Sequence, residues 1–196
     1  MDPFLLSGDT MVDAIDPLEE ALIDATCSKS RFFEQLVEHV FIAEVLQEAW
    51  YGFGEVVEVL RSEVDASGFD VVLECKSILR HIQLKTSGPN AAVARQNVNI
   101  ALADKPSGCI IWLLRDEDTK THRISLRYRF FGGAPGKKLP SLDGLKVANM
   151  TRGNRKGFKK ERPNIRIVPK NQFVAIDTTR ELVQHLFALG NAKDQD

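Results

Sequence analysis

Residues 109–114 (CIIWLL) are six consecutive apolar side chains, and they constrain the fold more than any other part of the chain. A run of this length is typical of a β-strand that is buried on both faces. The chain has 196 residues, of which 43% are hydrophobic and 27% charged, as in ordinary globular proteins, so we expect one domain. The fold class that these features predict is α/β.

Hydrophobic periodicity and turn-forming residues predict the elements around this strand. Residues 1–28 are expected to form an acidic arm that includes one short helix, and a longer helix then runs from Ser28 or Ser30 to about residue 50. A helix over 91–103 should connect two strands, and a last helix should run from Thr178 to Gly190. The other predicted strands cover 55–63, 69–74, 80–86 and 122–131, with one or two edge strands within 165–176.

Charge is distributed unevenly along the chain. Residues 1–65 hold 15 acidic and 3 basic side chains, whereas residues 66–196 hold 12 acidic and 23 basic ones. The basic residues are dense between Lys146 and Lys170, where nine of them accompany a single acid, Glu161. A basic surface attracts polyanions; the alternative is that the two halves of the chain neutralise each other in the fold.

Neither a membrane span nor a disulfide framework is predicted. No run of about 18 apolar residues is present, and the acidic residues 1–16 lack the basic start and apolar core of a signal peptide. The chain has an odd number of cysteines, Cys27, Cys75 and Cys109, and they are far apart. This spacing matches neither a disulfide framework nor a set of zinc ligands. We therefore expect a cytoplasmic protein with no membrane partner.

Three polar residues on two neighbouring strands are the first candidates for chemistry. Gln83 and Lys85 share one face because strand residues two apart point the same way. If the chain forms a hairpin that turns at Lys76-Ser77, Asp70 lies across from the stretch between Gln83 and Lys85, with Cβ atoms about 4.5–5.5 Å apart. The pattern brings a carboxylate, an amide oxygen and an ammonium group to one place.

The preceding helix offers a fourth candidate. Glu44 falls in the middle of its apolar stripe and Glu48 at the edge, whereas Glu34 and Glu38 lie further round, like ordinary solvated charges. A carboxylate on a core-facing stripe is costly unless it is paired or binds a metal ion. Glu44 is therefore the preferred helix acid, with Glu48 as the alternative.

The run 68–74 (GFDVVLE), followed by 81–87 (HIQLKTS), resembles the PD-(D/E)XK nucleases, a superfamily that includes restriction enzymes and archaeal Holliday-junction resolvases. Its pattern is a helix with Glu, a strand with Asp, a strand with (E/D/Q)-x-K, then a helix and a buried strand. Phe69 stands where the superfamily often has proline, and Gln83 replaces the usual acid. The resemblance implies a restriction-endonuclease-like mixed β-sheet flanked by helices, within a domain at 29–196.

The same resemblance implies an activity and assigns its residues. Asp70, the side-chain oxygen of Gln83 and Glu44 would hold Mg²⁺, with Mn²⁺ as a substitute, because magnesium prefers oxygen ligands. Lys85 would position the attacking water or neutralise charge on the phosphate. The chain would then be a nuclease, with DNA as the first choice of substrate and a homodimer as one arrangement. Because Gln83 supplies no charge, the alternative is a degenerate site that binds nucleic acid or a partner protein.

The basic segment, defined here as residues 137–170, is the predicted contact with nucleic acid. Five of its side chains lie among glycines that allow close backbone approach: Arg152, Arg155, Lys156, Lys159 and Lys160. Neutralised phosphates dominate the affinity of nucleic-acid-binding proteins, so these side chains suit contact with the DNA backbone. The alternative is an ordinary solvated loop.

Overall fold

The computed structural model describes residues 29–61, 68–88, 91–150 and 157–190. The predicted arm and short helix at 1–28, and the basic residues Arg152, Arg155 and Lys156, lie outside the described residues. The described chain is an α/β fold built from a six-stranded mixed sheet, a three-stranded sheet and two α-helices. No helix in these four ranges is long and apolar enough to cross a membrane.

The elements follow one another in an order close to the predicted one. Helix α1 covers Ser30–Gln47 and continues as a π-helical turn, Glu48–Gly52. The strands are β1 Val57–Arg61, β2 Val71–Cys75, β3 Ile78–Ser87, β4 Arg95–Asn99, β5 Cys109–Asp118, β6 Arg123–Gly132, β7 Val147–Asn149, β8 Glu161–Pro169 and β9 Val174–Ile176. Two short 3₁₀ helices lie at Ile100–Asp104 and Lys170–Gln172, and helix α2 covers Thr179–Phe187.

Strand β5 lies inside the large sheet, whose strand order is β1-β2-β3-β5-β6-β9. It runs parallel to β3 and antiparallel to β6. Ile111 and Leu113 pack into a core formed with the two α-helices, whereas Ile110 and Trp112 pack into a second core beneath the small sheet β4-β8-β7. The predicted strand with two buried faces is confirmed, because β5 is covered by helices on one side and by a second sheet on the other.

The hairpin between β2 and β3 is also confirmed. Cys75 pairs with Ile78, so the turn consists of Lys76 and Ser77, as the sequence predicts. Lys76 adopts the left-handed conformation with φ 56°, which lets two residues reverse the chain. The antiparallel pairing continues to Val71 and Ile82, and it therefore brings Asp70 to the middle of β3.

The predicted helix at 91–103 is wrong. The segment instead contains β4, which pairs antiparallel with β8, followed by the 3₁₀ helix. Val98 is fully buried in the second core, and the side chain of Asn99 caps the 3₁₀ helix by accepting a hydrogen bond from Ala101 N–H at 3.1 Å. Pairing with a strand that comes much later in the chain overrides the local helix preference of 91–103.

The C-terminal part agrees with the prediction in outline. Within 165–176, β9 is an edge strand as expected, but β8 is the middle strand of the small sheet. The predicted capping at the start of α2 is confirmed, since Thr178 Oγ1 accepts a hydrogen bond from Glu181 N–H at 3.1 Å. The helix ends at Phe187 rather than near Gly190, because Ala188 adopts a left-handed conformation with φ 50°.

A buried arginine joins the large sheet to the end of α2. Arg80 on β3 has no solvent exposure, and its guanidinium donates to the carbonyl oxygens of Gly133, at 3.1 Å, and His185, at 3.4 Å. The same group lies over the ring of Phe130. A cation at the carboxyl end of a helix is favoured by the helix dipole, so Arg80 ties β3 to the end of α2.

Candidate functional site

A polar cavity of about 470 Å³ lies between the first two turns of α1 and the second half of β3. Its charged wall combines acids and bases from separate elements. The described residues that line it are Arg31, Glu34, Gln35, Glu38, Asp70, Leu84, Lys85, Thr86, Gln96 and Leu113. Two of the predicted site residues, Asp70 and Lys85, therefore share one cavity.

Asp70 is held against β3 by two hydrogen bonds. Its backbone N–H donates to the carbonyl oxygen of Ile82 at 2.9 Å, and its carboxylate oxygen Oδ2 accepts from the N–H of Leu84 at 2.6 Å. A backbone donor at this distance makes a strong, charge-assisted bond. The carboxylate therefore lies level with Gln83 and next to Lys85, as the hairpin predicted.

Lys85 lies where two cavities meet. It is partly buried, and it lines both the cavity that contains Asp70 and a neighbouring cavity of about 670 Å³ along β4. Its position in β3 is opposite Trp112 of β5, whose indole N–H donates to Ser87 Oγ at 2.8 Å. This hydrogen bond fixes the buried sheet surface from which the lysine side chain extends.

Gln83 is buried beside these two residues, with a relative exposure of 6%. Its side-chain oxygen Oε1 is shielded from solvent and has no hydrogen-bond partner within the described residues. A buried amide oxygen without a partner is costly, and a cation is one of the groups that can satisfy it. Gln83 is not among the described residues that line the cavity, so it lies behind the wall rather than at the opening.

The structure does not bring Glu44 to this cavity; the helix acids that line it are Glu34 and Glu38. Glu38 forms an ion pair with Arg61 at 3.3 Å. Glu44 comes six residues after Glu38, which is about 9 Å further along the helix axis. The helical projection correctly predicts that Glu44 faces the core. It does not show that Glu44 lies too far along the helix axis to reach the cavity.

Glu44 is hydrogen-bonded to hydroxyl groups on two other elements. The hydroxyl of Tyr128 donates to Glu44 Oε2, and Thr179 Oγ1 donates to the same oxygen at 3.2 Å. Burial, followed by the hydrogen bond to Glu44, raises the pKa of Tyr128 above its ordinary value. Glu48, the alternative helix acid, pairs with Arg180 at 3.0 Å. Glu44 therefore joins α1 to β6 and α2, and Glu48 joins the π-helical turn to α2.

The donor set available for a metal ion is small. In the part of the chain that the structure describes, no three His, Cys, Asp or Glu side chains form a group that could hold an ion. Asp70 and the Gln83 amide oxygen provide one charged and one neutral oxygen. Magnesium keeps several of its waters and is often bound by one or two carboxylates, so this pair fits magnesium better than ions that need a full set of protein ligands.

The basic segment is described only in part. Lys159 and Lys160 are exposed just before β8, and Met150 N–H donates to the carbonyl oxygen of Lys160 at 2.8 Å. Phe158 beside them is 69% exposed. Two cations and an aromatic ring are thus presented to solvent immediately before β8.

Gln96 is a site residue that the sequence did not predict. It lies on β4 opposite Val168 and lines both cavities together with Lys85. Because 91–103 was expected to be a helix, no local pattern placed Gln96 near β3. Arg31 and Thr86 were not predicted either, because neither is a position to which the resemblance assigns a role.

Comparison of the chain with protein-family models, with curated proteins and with solved structures gives no match. Its function is therefore inferred from the residues of its own site.

Proposed function

We propose that this chain is a magnesium-dependent nuclease of the PD-(D/E)XK type, which hydrolyses phosphodiester bonds in DNA. The observation that carries the proposal is the hydrogen bond from Leu84 N–H to the Asp70 carboxylate, because Leu84 stands between Gln83 and Lys85 in β3. This bond holds the Asp70 carboxylate against the strand that carries Gln83 and Lys85, in the wall of a cavity that Asp70 and Lys85 both line.

The order of elements supports the proposal. Helix α1 is followed by β1, then by the β2–β3 hairpin that carries Asp70, Gln83 and Lys85, and then by β5, which is parallel to β3. This agrees with the pattern of the superfamily except in the crossover, where β4 and a 3₁₀ helix replace the expected helix. A restriction-endonuclease-like sheet is part of what we propose.

Asp70 and Oε1 of Gln83 are the residues that would hold Mg²⁺ or its substitute Mn²⁺. The buried, unpartnered oxygen of Gln83 supports this assignment, because a cation would satisfy it. When bound there, the ion would stabilise negative charge on the attacked phosphate and make water more acidic. Asp70 would supply the negative charge that keeps the ion in place, and its bond to Leu84 N–H keeps the carboxylate oriented.

Lys85 would act on the phosphate and on the attacking water. Lys85 lines the cavity from a central strand of the large sheet, so its backbone position is fixed before the substrate arrives. A fixed cation of this kind stabilises the charge that develops on a phosphate during hydrolysis. Glu34 and Glu38, which line the same cavity, take the place that the sequence assigned to Glu44 as the acids of the helix.

A cleavage assay tests the proposal. The purified chain is incubated with plasmid, single-stranded DNA, branched DNA and RNA, in magnesium, in manganese and in a chelator. We expect cleavage of at least one DNA substrate in either metal and none in the chelator. Failure to cleave any DNA, or cleavage that the chelator leaves unchanged, would reject the nuclease assignment; cleavage of RNA alone would reject DNA as the substrate.

A degenerate site is the second candidate function. It is favoured by the neutral side chain of Gln83 and because no three His, Cys, Asp or Glu side chains within the described residues form a group that could hold a metal ion. Such a protein would bind nucleic acid through its cations without cutting it. Its binding would weaken steeply as salt rises, whereas an interaction with a partner protein would not show the same salt slope.

A further inference from the structure

The cavity that contains Asp70 and the cavity along β4 are neighbours. Lys85 and Gln96 line both of them, so the two form one cleft with these residues at the junction. One end of the cleft is walled by the first turns of α1 and the other by residues 92–97. The strand that replaces the expected crossover helix therefore builds one wall of the cleft.

One arginine lies on each side of this junction. Arg31 lines only the end beside α1, and Arg95 lines only the end beside β4. Both side chains are exposed, and neither makes an ion pair or a hydrogen bond with any residue that the structure describes. Arg61, Arg115 and Arg180, by contrast, are each paired with a glutamate. Arg31 and Arg95 are thus available for phosphate, which a guanidinium binds with two parallel hydrogen bonds.

We infer that this cleft binds a single strand of DNA, and that Arg31 and Arg95 hold phosphates on either side of the phosphate that reaches Lys85. The inference rests on the proposed function and names its substrate class. The cavity of about 470 Å³ has the size of a small-molecule pocket, about 300–1,000 Å³, so it takes a nucleotide-sized part of one strand. Asp70 and Lys85 are partly buried within it, and a phosphate must enter the cleft to reach them.

The polar walls of the cleft support this assignment. Gln96 presents an amide at the junction, and Asn97 lines the β4 end. Side chains of this kind donate to phosphate and sugar oxygens without selecting a base sequence. We therefore expect binding that depends on strandedness rather than on sequence.

Binding of labelled oligonucleotides tests the inference without requiring cleavage. Fluorescence anisotropy is measured for a labelled oligothymidylate strand and for its duplex with an oligodeoxyadenylate strand. Calcium replaces magnesium in the buffer. The variants are Arg31→Gln, Arg95→Gln and the double variant. The control is Lys76→Gln, which removes one cation from the turn at the other end of β3, more than about 20 Å from Lys85 at about 3.3 Å per residue. Unlike the two arginines, Lys76 is ion-paired, with Glu55.

We expect the single strand to bind more tightly than the duplex, and each arginine variant to weaken single-strand binding while the control does not. The plot of log affinity against log salt should become shallower by about 0.7 for each phosphate that the variant no longer neutralises. Wild-type affinity and slope in the double variant, or preference for the duplex, would overturn the inference. If binding depends on the arginines but no DNA is cleaved, the nuclease assignment is rejected and the single-strand cleft is retained. If DNA is cleaved but the variants bind like the wild type, the nuclease assignment is retained and the single-strand cleft is rejected.

Discussion

The carboxylate of Asp70 and the backbone N–H of Leu84 are 2.6 Å apart and form a hydrogen bond between the start of β2 and the middle of β3. This bond spans the end of the hairpin, so the position of the acid depends on the register of the two strands rather than on side-chain flexibility. The buried oxygen of Gln83 and the ammonium group of Lys85 belong to the residues on either side of Leu84. The backbone positions of these three proposed site residues are therefore set by the pairing of the sheet.

Gln83→Glu is expected to tighten magnesium binding. The substitution adds a negative charge beside Asp70 at almost constant volume, and without metal the two carboxylates would repel each other. The variant should be less stable than wild type in a chelator and should recover stability in magnesium, by about 2.7 kcal/mol at 100 times the dissociation constant. Calorimetric titration and thermal melting measure both effects.

The control is Gln83→Leu, which removes the side-chain oxygen and should lose metal binding while it keeps the fold. If neither the wild type nor Gln83→Glu binds a divalent cation, Asp70 and Gln83 do not form a metal site and the protein is the degenerate binder.

Glu44 and Glu38 are expected to respond in opposite ways to neutralisation. Glu44→Gln keeps an oxygen that accepts from Tyr128 and Thr179, so it should lower the free energy of unfolding by about 1 kcal/mol and leave cleavage unchanged. Glu38→Gln should reduce cleavage with little change in stability, since its ion pair with Arg61 is at the surface. Rates of plasmid nicking and urea unfolding curves separate the two. Loss of cleavage in Glu44→Gln alone would restore Glu44 as the acid of the site.

Tyr128 is expected to make stability depend on pH in the alkaline range. Burial and the hydrogen bond to Glu44 raise the pKa of its hydroxyl in the folded state, whereas an unfolded tyrosine has a pKa of about 10. The stability that the neutral hydroxyl contributes is fully present below about pH 10 and is lost progressively as the pH rises above it. Urea unfolding below and above that pH should show the decline.

Tyr128→Phe is the matched variant for this measurement. It should be less stable at neutral pH by about 1–3 kcal/mol, because Glu44 loses one of its two hydroxyl partners. Its stability should also fall less steeply with alkaline pH than that of the wild type. Equal slopes in the two proteins would show that Tyr128 is not the titrating group.

The parts of the fold that were predicted correctly depend on neighbouring residues. The apolar run of β5, the turn at Lys76-Ser77 and the cap formed by Thr178 and Glu181 are each encoded within a few positions of the chain. Asp70 was placed correctly because a two-residue turn fixes which residues face each other across a hairpin. For the same reason the pairing of Asp70 with the Gln83–Lys85 stretch could be predicted from the sequence.

The parts that were missed depend on residues far apart in the chain. Strand β4 forms because it pairs with β8, and no residue pattern within 91–103 predicts that pairing. Glu44 was placed on the core face correctly, but its partners Tyr128 and Thr179 come from other elements. A helical projection shows which way a side chain points but not which element lies opposite, so the hydroxyl partners of Glu44 cannot be predicted from the sequence.

Removing Lys159 and Lys160, two exposed cations of the basic segment, is expected to weaken DNA binding of any sequence. The double variant Lys159→Gln, Lys160→Gln loses two exposed charges beside Phe158. On duplex DNA the slope of log affinity against log salt should become shallower by about 0.9 for each phosphate that is left without its lysine. Gel-shift titrations at several salt concentrations measure this. An unchanged slope would mean that these lysines belong to an ordinary solvated loop.

The central claim is that Asp70 and Lys85 form the catalytic pair, and the rate of magnesium-dependent DNA cleavage in Asp70→Asn and Lys85→Ala tests it most directly. In Asp70→Asn, the asparagine side chain would keep an oxygen that accepts from the Leu84 N–H but would lose the charge. In Lys85→Ala, loss of the lysine side chain removes little from the core. Both variants should therefore fold like the wild type. We predict that each lowers the cleavage rate by about 100-fold or more while the melting temperature stays close to that of the wild type. Wild-type cleavage rates in either variant, at equal purity and metal concentration, would contradict the account.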